Sequence, residues 1–163
     1  MTMIMVIARI KHLILILGIS LAATATAEDN TTIRAGFGAG HSDKSAIYSV
    51  GYEERNVRDV LMYKLDLGAW TSGTRGKSSP FVSGLVGVRL GSVADFYAQG
   101  LVGIAIVGNT DELLGSNFQF TEEAAVGYKS VSVGYKHVSS ANLGDPNLGR
   151  DYWFCELKFP LTF

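Results

Sequence analysis

The chain has 163 residues, 47% hydrophobic and 18% charged, with 14 Lys and Arg against 15 Asp and Glu. That near balance excludes the basic patch expected of a nucleic-acid-binding protein. The single cysteine, Cys155, excludes an internal disulfide framework and a cysteine-based metal site.

In chain order, Arg9 and Lys11 precede the apolar run LILILGISLAA, and TATA follows it before Glu28. This layout predicts a cleaved secretory signal over 1–27, with 28–163 as one mature domain. The apolar core is short for a transmembrane helix, which needs about 20 residues. Taking Arg9 and Lys11 from the 14 basic residues leaves 12 against 15 acids, a net charge near −3.

From Ile33 onward, runs of alternating character are separated by turn residues or polar loops. The period of two predicts strands at 32–41, 46–54, 61–71, 80–90, 96–107, 117–128, 131–139 and 151–162. No stretch has a 3.6-residue period, so no helix is expected. The sense of the alternation matters. Leu61, Tyr63, Leu65, Leu67 and Ala69 share one face, against Met62, Lys64, Asp66 and Gly68 on the other. Val82, Val86, Val88 and Leu90 oppose Ser83, Gly87 and Arg89, and Trp153, Cys155, Leu157 and Phe159 oppose Glu156 and Lys158.

An export signal, an even strand number and strands of about 10 residues point to an all-β fold, an eight-stranded antiparallel transmembrane β-barrel of the Gram-negative outer membrane, apolar outside and polar inside. Closure is required because an open edge in lipid leaves unsatisfied backbone groups. Arg34, Lys64, Asp66, Arg89, Glu122 or Glu123, Lys136, Glu156 and Lys158 are expected to supply an internal salt-bridge network. Glycines such as Gly36, Gly38, Gly68, Gly87, Gly127 and Gly134 would relieve crowding inside. Connections at 55–60, 91–95 and 129–130 are short, whereas 72–79, 108–116 and 140–150 are longer, as periplasmic turns and external loops should alternate. The terminal Phe163, with apolar residues at alternate positions before it, resembles the C-terminal signature read by the outer-membrane assembly machinery.

The seventh and eighth strands carry a polar constellation. Val131, Val133, Tyr135, His137 and Ser139 share the lipid face, and Asp151 shares its parity with Trp153 and Cys155. Across the 140–150 connection, Ser139 is expected roughly opposite Asp151, with His137 one diagonal step away, about 5–8 Å between Cβ atoms. A hydroxyl, an imidazole and a carboxylate together are what activates a serine nucleophile, with Ser139 attacking, His137 as base and Asp151 orienting it. The competing reading is a polar interfacial belt without chemistry, in a structural or adhesin-like barrel.

The run His137-Val138-Ser139, then Pro146-Asn147-Leu148-Gly149, then Asp151 resembles the C-terminal motif of the PagL-type lipid A 3-O-deacylases over roughly 135–163. The resemblance implies an eight-stranded outer-membrane barrel with a lipid-facing triad, whose acid, usually Glu and here Asp151, follows the histidine by some fourteen residues. It implies hydrolysis of the 3-O-linked hydroxyacyl ester of lipid A in the outer leaflet, with lipopolysaccharide as substrate and neither metal nor organic cofactor. An outer-membrane phospholipase is the alternative within the same chemistry, and self-association into a homodimer is left open. The family's oxyanion-hole Asn, directly after the serine, is Ser140 here; Asn142 is an alternative donor, and Asn147 matches a second Asn that shapes the loop. Asp43, Lys44, Arg75, Lys77 and Arg150 are expected to reach lipid A phosphates. His41 reads as a solvated loop residue, and GFGAG at 36–40 lies in a strand with no helix after it, so it is not a phosphate loop.

Overall fold

Because side chains two apart point the same way, each alternating stretch becomes a strand with one apolar and one polar face. The computed structural model describes residues 31–41, 44–55, 60–93, 95–141, 143 and 147–161. The expected signal at 1–27, Asp43, Asn142 and Phe163 lie outside the described residues. The strands are β1 (Thr31–Gly40), β2 (Ala46–Arg55), β3 (Leu61–Trp70), β4 (Ser79–Val93), β5 (Phe96–Val107), β6 (Phe118–Tyr128), β7 (Val131–Ser139) and β8 (Arg150–Pro160). Each pairs antiparallel with its sequence neighbour, and β1 pairs with β8 to close the barrel. β4 runs three residues beyond the expected end at 90, because a bulge between Leu90 and Val93, with Gly91 at φ 83°, lets pairing continue to Val93↔Phe96.

The barrel is apolar outside. Leu61, Tyr63, Leu65 and Leu67 are exposed while Met62, Lys64 and Asp66 between them are buried, and the same sense holds for Val82, Val86 and Val88 on β4 and Trp153, Leu157 and Phe159 on β8. A protein in water would not expose such a belt all round; a hydrocarbon boundary stabilises it.

The lumen is filled by charge. Lys64 Nζ lies 2.5 Å from Glu123 and 2.7 Å from Glu156, Lys136 Nζ 3.2 Å from Asp66, and Lys158 Nζ 2.8 Å from Glu53. Arg34 binds Asp66 and Glu156, and Arg89 binds Glu53 and, at 2.8 Å, Gln99. Glu53 and Gln99 extend the expected network. Of the two acids at 122 and 123, the inward one is Glu123; Glu122 is exposed on the outer wall. Glycine does make room inside: a Cβ on Gly38 would come 2.7 Å from Ile47 Cγ2 and one on Gly68 2.5 Å from Phe81.

At the end with the longer connections, an apolar cluster of Ile47, Trp70, Phe81, Val107, Leu113, Leu114, Val138 and Tyr152 occupies the lumen. Trp70 stacks on Phe81 with ring centroids 4.9 Å apart. Arg150, expected to reach outward for phosphates, points into this end instead. It is buried and bonded to Asp111, to the Lys77 carbonyl at 3.2 Å and to the Tyr152 hydroxyl at 3.3 Å, because its parity on β8 is opposite to that of Asp151. Burial opposes ionisation of Asp111, but the backbone amides of Lys77, Leu113 and Leu114 and the Arg150 guanidinium outweigh it and hold this carboxyl below its ordinary range.

Candidate active site

β7 and β8 run side by side with His137 directly opposite Asp151. Their parity turns both side chains to the outer wall, where they are 35% and 30% exposed, and His137 Nδ1 lies 2.7 Å from Asp151 Oδ1. An Nδ1–H donated to the carboxylate leaves Nε2 with its lone pair, the tautomer a general base requires. The register differs by two residues from the sequence expectation: the histidine, not the serine, faces the acid, and Ser139 stands on the diagonal. Ser139 shares the outward face of His137 two residues on, and among the described residues no hydrogen bond joins the two side chains.

His137 also faces a second carboxylate. Glu122 on β6 is its register partner on the other side. On the far side of Asp151, the backbone N–H of His41 donates to the Asp151 carbonyl at 2.9 Å, and the His41 side chain is exposed, as expected of a turn residue. Glu122, His137, Asp151 and His41 thus form one transverse row of ionisable residues on a largely apolar wall.

Two further residues shape this geometry, and neither was assigned a role from the sequence. Tyr135 donates its hydroxyl to Asp151 Oδ1, the same oxygen that His137 engages, and its ring meets Trp153 edge-on with centroids 5.4 Å apart. The signal was present, since Tyr135 shares the parity of His137. Gly149 has φ +72°, and a Cβ there would come 2.9 Å from His137 Cε1. Only glycine combines that backbone with that close approach at little cost.

The supporting residues divide. Ser140 is 0% exposed and its hydroxyl is buried with no partner among the described residues, so its side chain is not presented to the outer wall as an oxyanion donor would be; the parity that turns Ser139 outward turns Ser140 in. Asn147 accepts the Ser140 backbone N–H on its side-chain oxygen at 2.8 Å, tying the loop to the end of β7. The Gly149 N–H donates to the Leu113 carbonyl at 3.0 Å and anchors the loop to the neighbouring one. Among the described residues no group of His, Cys, Asp and Glu is arranged to hold a metal ion.

One row away from His137 and Asp151, starting at Tyr135 and Trp153, the outer wall holds an apolar groove of about 810 Å³ lined by Phe37, Ala98, Ala124, Val133, Gly134 and Cys155, among others. Small side chains on adjacent strands leave the depression.

The family model for lipid A 3-O-deacylase (PagL) matches residues 49–160. Among solved structures, the barrel is similar to the crystal structure of the outer membrane enzyme PagL, with a TM-score of 0.64 and 19% identity, covering 80% of this chain and 99% of that one. It is also similar to the backbone structure of the Yersinia pestis outer membrane protein Ail in a phospholipid bilayer nanodisc, with a TM-score of 0.50 and 12% identity, covering 81% of this chain and 100% of that one. No curated protein sequence matches.

Proposed function

We propose, from the premise that the chain belongs to the lipid A 3-O-deacylase (PagL) family of outer-membrane hydrolases, that it is a serine esterase releasing the 3-O-linked hydroxyacyl chain of lipid A. The observation that carries this reading is the His137–Asp151 pair turned to the hydrocarbon boundary, with Ser139 on the same face.

Ser139 Oγ attacks the ester carbonyl as His137 Nε2 takes its proton, and Asp151 holds the Nδ1–H and stabilises the imidazolium. The imidazolium returns the proton to the departing sugar oxygen, leaving an acyl chain on Ser139. Water, activated by the same Nε2, then hydrolyses that ester and frees the hydroxy acid and the serine. The lack of a side chain at Gly149, beside the imidazole, supports this reading by leaving room for the reacting carbonyl. A serine–histidine hydrogen bond commonly tightens only once substrate is bound.

Position supplies the substrate. An acyl chain moving laterally in the leaflet reaches the outer wall without leaving lipid, and the groove below Tyr135 and Trp153 offers it an apolar bed. The polar loop side admits water. Binding energy from the chain then serves to orient the ester.

The test is mass spectrometry of lipid A from cells producing the protein. Wild type should remove the mass of one hydroxyacyl chain, and Ser139→Ala or His137→Ala should lower the rate about 1,000-fold or more while the barrel stays heat-resistant in detergent. An unchanged lipid A profile with folded wild-type protein would sink the reading.

A further inference from the structure

We infer that Tyr135 is a positioning residue for the acid, its hydroxyl holding the Asp151 carboxylate in the rotamer that meets His137. This rests on the serine-esterase reading above.

Tyr135 and His137 are two apart on β7, and their register partners Trp153 and Asp151 are two apart on β8, so the four side chains form a quadrilateral on the outer wall. The Tyr135 hydroxyl spans its diagonal to Asp151, while its ring is steadied edge-on by Trp153. Both donors converge on Oδ1. A carboxylate turns about a broad terminal torsion, so one hydrogen bond from the imidazole leaves it free to swing. A second donor from a different direction confines it.

The groups facing this pair come from each neighbouring strand. Glu122 of β6 lies across from His137, and His41 at the end of β1 adjoins Asp151. The chain neighbours Lys136 and Arg150 are buried toward the lumen. Of all these, only Tyr135 and His137 hydrogen-bond the Asp151 carboxylate.

The sign follows from sharing of charge. The hydroxyl takes part of the carboxylate's hydrogen-bonding capacity; without it, more is left to stabilise the imidazolium. Since the base must be neutral, the acid limb of the rate profile moves up.

The experiment measures kcat and KM on lipid A in mixed micelles from pH 5 to 9 for the full protein, Tyr135→Phe, Ser139→Ala, Glu122→Gln and Tyr135→Phe/Glu122→Gln. Tyr135→Phe keeps the ring, and its heat resistance in detergent checks the fold. The expected result is a plateau kcat about tenfold lower, KM within about twofold, and an acid limb raised by roughly half a pH unit, the shift persisting without Glu122. An unmoved limb, with or without loss of rate, overturns the role of Tyr135 if Ser139→Ala is inactive. Activity surviving in Ser139→Ala overturns the esterase reading itself.

Discussion

The reach between His137 and Asp151 depends on a backbone feature with no chemistry of its own. Gly149 sits at φ +72° with its Cα against the imidazole edge, where a methyl group would press on Cε1. Gly149→Ala should therefore combine backbone strain of about 1 kcal/mol or more with displacement of the imidazole. The expected outcome is a fall of tenfold or more in kcat with normal heat resistance in detergent, checked by release of hydroxy acid from lipid A. The outward parity of His137, Ser139 and Asp151 was legible because a strand alternates strictly. Which of them meet was not, because register along a hairpin depends on a loop whose geometry no local pattern specifies. The buried position of Ser140 follows from the same alternation that places Ser139 outside.

The final hairpin is held in place by its neighbours on both sides of the wall. Asn147 ties the loop to the end of β7, and Gly149 ties it to the connection carrying Leu113. Arg150, one residue before Asp151, is clamped to Asp111 inside the end of the barrel with the longer connections, so the start of β8 is fixed from within while Asp151 faces out. Because the Asp111 carboxyl is held below its ordinary range, its contribution is fully present above about pH 4 and is lost as pH falls through the lower, folded value. Fluorescence of Trp70, over which the Arg150 guanidinium lies at 5.3 Å, should report loosening of this end as detergent-solubilised protein is taken from pH 6 to 2.5. In Asp111→Asn the acid-dependent change in that window should disappear, with the spectrum at neutral pH already resembling the acid form of wild type. Strand positions were readable to within three residues, since the eight stretches alternate cleanly. The inward use of Arg150 was missed because a loop-adjacent arginine was read by its nearness to the surface rather than by its parity.

The molecule as a whole inverts the usual distribution of charge. Arg34, Lys64, Arg89, Lys136 and Lys158 share a sealed lumen with Glu53, Asp66, Glu123 and Glu156, and the apolar side chains face out. Such a network is satisfied only when complete, because removing one partner leaves uncompensated charge in a low-dielectric interior. Glu156 is bound by both Arg34 and Lys64, so Glu156→Gln should destabilise the barrel by about 3–5 kcal/mol, read as a lower urea midpoint in lipid vesicles. Glu122→Gln, on the outer wall, should stay within about 0.5 kcal/mol of wild type. Equal effects from the two substitutions would mean that the lumen does not depend on charge pairing.

Local alternation and spacing determined the strand count, the sidedness of the wall and the outward placement of imidazole, hydroxyl and carboxylate, because these depend on a period of two that every strand obeys by itself. The direct facing of His137 by Asp151, the recruitment of Glu53 into the lumen and the bond from Tyr135 to Asp151 were decided only by the tertiary structure. Each joins residues through the shear and closure of the barrel, a geometric condition on all eight strands together that no single strand's sequence contains.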